Sequence, residues 1–316
     1  MVSFMGTTRS LIIKTAMKKM KNKDIPFADS LAKFNEKPTE HKFKKGYKIT
    51  FKKTQNKSRY LIIQKDTSEI IKKVVIFIHG GFYIMGLTSA HYDFAYTLCN
   101  LKNDLAVVLV DYSLAPEFAY PTQINEVMDI WKELITLYKP ENIVLCSESA
   151  GSNCSLVLLQ KLANEKKALP KAAIFISPMT DYTLSGESYS KNYQKDIFFG
   201  NSNEPLTDES FEKLKNSEIY TYYLGKDIDR KDPSVSPLFG NFTIFPKSLF
   251  IVSNNEMLLN DTLNVVTKIK KENKDTNVEC YVQEGMYHSY VLGSTWIPEC
   301  KLAQDKLKSY ILENLY

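Results

Sequence analysis

Residues 144–154 read VLCSESAGSNC, an apolar run that ends in a serine held between small residues. Acyl transfer needs a serine on a turn sharp enough to carry its Oγ clear of the backbone. Such a turn brings the residues two before and two after into contact, so both must be small. Ser147 and Gly151 occupy those places around Ser149. The usual spacing is G-x-S-x-G, and Ser147 departs from it by one hydroxymethyl group. Alone, the match is equally a tight loop with a serine at a helix N-cap. A second feature lies upstream, where residues 76–86 read IFIHGGFYIMG. Two adjacent glycines after an apolar run let backbone N–H groups converge on one point. A tetrahedral oxyanion needs such fixed donors, each worth ~2.7–4 kcal/mol of barrier lowering. The candidate donors are the N–H groups of Gly80, Gly81 and Ala150, with His79 closing the strand as a structural residue. An ordinary glycine turn is the plainer reading of this loop. It loses weight because the S-x-S-x-G turn follows two strand–helix steps later.

Those residues need a scaffold. Segments 47–52 and 59–64 alternate or run apolar and read as two early strands. Residues 73–78 (KVVIFI) form a continuous β-branched run, the pattern of a strand buried on both faces. Helix and strand patterns then alternate: helix 89–101, strand 105–111, helix 122–138, strand 142–146, helix 150–165 and strand 172–177. After a gap come strand 248–253, helix 260–273, strand 278–283 and helix 299–314. The alternation predicts βαβ units and a mostly parallel central sheet flanked by helices, an α/β fold. The interruption at about 180–245 is rich in Tyr, Asn, Ser, Asp and Lys. It reads as a helical cap inserted over the C-terminal edge of the sheet, where α/β proteins place their sites. The chain thus divides into an arm or cap-helix segment at 1–45 and a domain at 46–316 that carries the insertion.

Composition narrows the classes further. The 316 residues are 44% hydrophobic and 24% charged, as expected of a globular chain that needs no staple to fold. Five cysteines at irregular spacing form no CxxC pair, which argues against a disulfide framework or a zinc site and for a reducing compartment. The N-terminus has no apolar stretch long enough for a secretion signal, so the expected location is cytoplasmic. Residues 1–60 hold 16 Lys+Arg against 4 Asp+Glu, a balance of +12, and the other 256 residues carry −7. Residues 10–22 read as a helix with Leu11, Ile12, Ala16 and Met20 set against a basic face. The plain reading is a solvated amphipathic arm. The sharper one is an arm that meets an anionic surface, such as a membrane. Nucleic acid is not expected, because the basic stretch carries no binding motif.

The motifs together resemble the hormone-sensitive-lipase-like α/β-hydrolases, also called bacterial esterase family IV, over about residues 70–315. That family carries H-G-G-G-[FW]-x-x-G, which resembles His79-Gly80-Gly81-Phe82-Tyr83-Ile84-Met85-Gly86. Its D-Y-R-L-A-P-E resembles Asp111-Tyr112-Ser113-Leu114-Ala115-Pro116-Glu117. Its G-D-S-A-G-G-N resembles Ser147-Glu148-Ser149-Ala150-Gly151-Ser152-Asn153, and its G-M-x-H resembles Gly285-Met286-Tyr287-His288. Two departures stand out. Phe82 replaces the third glycine, keeping the backbone N–H but adding a ring that crowds the acyl or alcohol site. Ser113 replaces an arginine and removes any ion pair it made.

In this fold the triad runs Ser, acid, His in chain order, so the base comes last. Of His41, His79, His91 and His288, only His288 follows the last expected strand; His91 reads as a helix-start residue near the glycine loop. The acid should follow strand 248–253 and orient His288 through its Nδ1–H. The segment SNNEMLLNDT offers Glu256 and Asp261. The family sets its acid two residues before a leucine, as Glu256 stands to Leu258, so Glu256 is preferred and Asp261 is the fallback. Asp181 and Asp196 read as surface carboxylates. Tyr83, Tyr182, Tyr193, Phe198 and Phe199 read either as an acyl pocket or as cap packing. The resemblance implies an esterase or deacetylase for small esters with short to medium acyl chains, with no cofactor. Its rivals are a non-catalytic binding protein on the same fold and an amide or peptide hydrolase. The sequence leaves monomer and homodimer equally open.

Overall fold

The computed structural model describes residues 2–21, 27–33, 35, 40–225 and 227–316. Residues 22–26 and 36–39 of the expected arm lie outside them. Two helices open the chain, α1 (Phe4–Lys21) and α2 (Phe27–Ala32), followed by strands β1 (Tyr47–Lys53), β2 (Arg59–Lys65) and β3 (Lys73–Ile78). Then come α3 (Ser89–Cys99), β4 (Leu105–Asp111), α4 (Thr122–Leu137), β5 (Ile143–Glu148), α5 (Ser149–Asn164) and β6 (Ala172–Ile176). Three short helices follow, α6 (Ser188–Lys191), α7 (Asp208–Lys215) and α8 (Glu218–Leu224). The chain ends with β7 (Lys247–Ser253), α9 (Leu259–Glu272), β8 (Val278–Gln283) and α10 (Pro298–Leu315).

The eight strands form one sheet in the order β1-β2-β4-β3-β5-β6-β7-β8. β2 runs antiparallel to both β1 and β4, and every other pairing is parallel. Side chains alternate across each strand. Val74, Ile76 and Ile78 of β3 face one core with α4, α5 and α9, while Val75 and Phe77 face the other with α3 and α10. Burial on both faces explains the unbroken β-branched runs of the middle strands.

The order carries a functional consequence. β3 lies between β4 and β5, and the helices that follow β3 and β5, α3 and α5, pack on opposite faces of the sheet. Crevices at such switch points, beyond the carboxyl ends of the strands, are where open α/β sheets hold ligands. Pairing of Ile78 with Ser147 sets the glycine loop after β3 directly beside the turn that follows β5.

The N-terminal helix departs from expectation. It starts at Phe4 rather than at residue 10, and its Leu11, Ile12 and Ala16 face outward. Its inner side is Gly6 and Met17. The seat is set by tertiary bonds that periodicity cannot show. Ser3 donates its N–H to Glu299 Oε1 at 2.5 Å and its hydroxyl to Oε2 at 2.8 Å, and Lys21 Nζ reaches the carbonyl of Gly200 at 2.6 Å.

Candidate active site

Ser149 is the first residue of α5 and sits at φ 52°, a left-handed conformation that costs a non-glycine residue of order 1–3 kcal/mol. The surroundings outweigh that cost. Ile143, Val144, Leu145 and Cys146 just before it are fully buried, and burying a single large apolar side chain is worth about 1.5–3 kcal/mol. The sharp turn needs close backbone approach. A Cβ at Gly151 would collide with the carbonyl oxygens of Ile78 and His79, so only glycine fits there. A Cβ at Gly80 would come within 2.7 Å of Ser149 Cβ.

Three side chains from separate loops meet at this turn. His288, in the loop between β8 and α10, places Nε2 2.8 Å from Ser149 Oγ. Its Nδ1 lies 2.7 Å from Glu256 Oε2. Glu256 follows β7, and its other oxygen accepts from Ser253 N–H at 2.7 Å and from the Ser177 hydroxyl at 2.8 Å. Asp261 is elsewhere. Its Oδ2 accepts from the N–H groups of Thr180 and Asp181 at 2.6 and 3.0 Å, and burial with the charge of Asp181 pushes its carboxyl up to about 8.

The glycine loop is braced from several sides. The Tyr112 hydroxyl donates to the carbonyls of His79 and Gly80 at 2.8 and 3.0 Å, and its ring stacks on His79 at 4.1 Å. Ser113 gives its N–H and its hydroxyl to the Glu126 carboxylate, each at 2.6 Å. One expected donor is already taken. Gly80 N–H donates to Glu148 Oε1 at 2.6 Å, so it is not free to meet an oxyanion in this conformation. Glu148 lies adjacent to Ser149 and its buried carboxylate finds the nearest amide, a competition invisible in the motif.

Known proteins bear on this arrangement. The family described as alpha/beta hydrolase fold matches residues 75–292. An esterase of Acinetobacter venetianus is 31% identical over 232 residues, covering 73% of this chain and 72% of that protein. The chain belongs to the α/β-hydrolase fold family. An ethyl acetate hydrolase of Pseudomonas putida is 28% identical over 56% of this chain and 53% of its own length. Among solved structures, an esterase of the bacterial hormone-sensitive lipase family superposes with a TM-score of 0.80 at 20% identity, covering both chains fully. EstE5, soaked with p-nitrophenyl butyrate, gives 0.77 at 21% over 96% of this chain and 98% of its own. At these identities the structures speak for the fold, and the resemblance drawn from the motifs agrees with it.

The electrostatics of this hydrolase centre on two buried carboxylates. Burial by itself would lower the basicity of His288. The hydrogen bond and charge of Glu256, with Glu148 and Asp196 nearby, outweigh it and hold the imidazole above its ordinary 6.5. Glu148 stands where the family's G-D-S-A-G-G-N carries its aspartate, a place to which the motif alone assigns no role. Its other oxygen accepts from the Ser289 hydroxyl at 2.6 Å, and His91 Nε2 lies 3.5 Å from Oε1. Burial would raise its carboxyl, but the His91 hydrogen bond and charge, the charge of His288 and the Ser289 hydroxyl hold it down to about 2. Glu148 therefore ties the glycine loop, the serine turn and the residue after His288 together. The signal for it in the sequence is an acid inside S-x-S-x-G, at the place of the aspartate in G-D-S-A-G-G-N.

The expected surface carboxylates are buried instead. Asp181 caps its own turn, accepting from Thr183 and Ser185. Asp196 accepts from the N–H groups of Phe198, Phe199 and Met257 and so ties segment 180–245 to the Glu256 turn. The aromatics divide. Tyr83 stacks on Tyr223 at 3.9 Å and Tyr182 packs beside them, all fully buried. Phe199 sets its ring edge-on to His288 at 4.9 Å, Phe198 lies 5.9 Å from it, and Phe82 packs on Phe199 at 5.1 Å. Phe82 holds this position at φ 56°, conformational strain that a glycine would not carry.

Proposed function

We propose that Ser149 is the nucleophile, His288 the general base and Glu256 the orienting acid of this carboxylester hydrolase. The observation that carries the reading is the continuous hydrogen-bonded line from Ser149 Oγ through His288 to Glu256, at 2.8 and 2.7 Å. With Nδ1–H given to Glu256, the neutral imidazole offers Nε2 to the serine proton. Oγ attacks the ester carbonyl as that proton moves to Nε2. The tetrahedral intermediate collapses, and the alcohol leaves with the proton from His288. Water then repeats the sequence on the acyl-serine and releases the acid.

For the oxyanion we retain the N–H groups of Gly81 and Ala150. Gly80 is left out because Glu148 holds its N–H. The N–H of Phe82 takes its place in the proposal. Residues 180–245, with α1 and α2, form the proposed cap. Phe198 and Phe199 beside His288, with Phe82 packed on Phe199, favour short acyl chains. The names of two relatives, an acetyl-hydrolase of Streptomyces hygroscopicus and the ethyl acetate hydrolase, point the same way. All five cysteines are free, which supports a reducing, cytoplasmic setting.

A series of p-nitrophenyl esters tests the substrate range. Turnover should be highest for acetate to butyrate and fall steeply toward decanoate. Equal rates across the series would reject the aromatic restriction. No hydrolysis at any length, with no fluorophosphonate labelling, would reject the chemistry and favour a binding protein.

The acid limb of the pH profile is a second test. The base must be neutral to accept the serine proton, and the His288 environment favours its charged form. Activity is therefore lost as pH falls through a value above the ordinary 6.5 of a histidine. A kcat/KM profile for a soluble ester whose acid midpoint lies at or below that value would contradict this placement.

A further inference from the structure

We propose that α1 seats the protein on an anionic lipid surface. The helix carries Arg9, Lys14, Lys18, Lys19 and Lys21 and no acidic residue. Phe4, Met5, Leu11 and Ile12 recur at a seven-residue spacing, which puts them on one face, and that face looks outward. Phe4 is 86% exposed, Leu11 63% and Ile12 55%. Trp296 is 81% exposed and stands three residues before Glu299, the residue that holds Ser3 at the start of α1. Exposed apolar side chains and cations on one helix each add to binding at an anionic lipid interface.

Two further observations favour a lipid layer as the occupant. The helix is fixed at both ends, by Glu299 at Ser3 and by Gly200 at Lys21, so the patch is a preformed platform on the protein body. One flank of the helix also walls a cavity of about 730 Å³, whose lining includes the exposed Leu11, Lys14 and Lys18 together with Phe198 and Phe199. Those two phenylalanines pack against His288. Docking by α1 would therefore hold this cavity beside the surface. A second copy of the chain fits the patch poorly, because it would set the exposed Arg9, Lys14, Lys18 and Lys19 against the same four cations. The docking does not rest on the catalytic reading, and its test needs no turnover.

The chain supplies its own reporter, since its two tryptophans are Trp131, fully buried, and Trp296. Tryptophan emission should shift to the blue on titration with vesicles in which about one third of the lipid is phosphatidylglycerol. It should stay unchanged with pure phosphatidylcholine vesicles. Each cation near such a surface adds about a fivefold gain in binding, so raised salt should weaken the association. Phe4→Glu/Ile12→Glu should lower co-sedimentation at least about tenfold while leaving hydrolysis of a soluble ester intact. Absence of both co-sedimentation and emission shift at low salt would overturn the proposal. So would equal binding by the double variant, or a dimer in light scattering without lipid that the double variant breaks.

Discussion

Replacing Ser149 by alanine is expected to lower kcat for p-nitrophenyl acetate by about 10⁶-fold, the scale seen when a triad serine is removed elsewhere. At about 1.36 kcal/mol per decade, that is about 8 kcal/mol of lost transition-state stabilisation. The alanine keeps the Cβ and the left-handed backbone at this position, so the fold should be retained. The variant should therefore melt near the wild-type temperature, lose fluorophosphonate labelling, and still bind a substrate analogue. His288 stands within 2.8 Å of Ser149 Oγ, so His288→Ala should cost nearly as much, and the double variant little more than either. A Ser149→Ala protein with more than about a hundredth of wild-type kcat would remove the serine from the chemistry, because even one oxyanion donor is worth about 10²–10³ in kcat.

The scaffold was legible where one cause dominates. Apolar runs buried on both faces have no alternative in a chain of this size, and β3 to β7 fall where those runs lie. The crevice followed from the alternation, because a parallel sheet with a switch point gathers its loops at one end. The N-terminal helix was legible as a helix but not in its facing. Leu11 and Ile12 mark one side of an amphipathic arm, but which side faces the body is set by Glu299, almost the whole chain away, taking hold of Ser3. Asp181 and Asp196 were misread for a related reason. Composition says that carboxylates prefer water, but a tight turn supplies several N–H groups at once, and such donors keep a carboxylate inside. Glu148 shows the limit most sharply. Motif and spacing mark the backbone of Gly80 as a donor, yet they carry no information about which acceptor reaches it first.

Between the two candidate acids, the expected outcome is a wide separation. Glu256→Gln should lower kcat by about 10⁴-fold, the scale set by the equivalent amide substitution in a serine protease triad. The structure gives the reason. One oxygen of Glu256 accepts from Ser253 N–H and from the Ser177 hydroxyl, so that side must remain a carbonyl oxygen in the glutamine. The amide NH₂ is then turned toward His288 Nδ1. It donates where the carboxylate accepted, which forces the imidazole proton onto Nε2, the nitrogen that must receive the serine proton. The loss should appear in kcat more than in KM. The acid limb should move to lower pH, because the charge that favoured imidazolium is gone. Asp261→Asn should change kcat less than about fivefold. Its carboxyl is pushed up to about 8 and is largely protonated at neutral pH, so the amide replaces a neutral group. The amide oxygen can still accept from Thr180 and Asp181. Reversed sensitivities, with Asp261→Asn inactive and Glu256→Gln near wild type, would move the acid to α9 and require a different His288 loop.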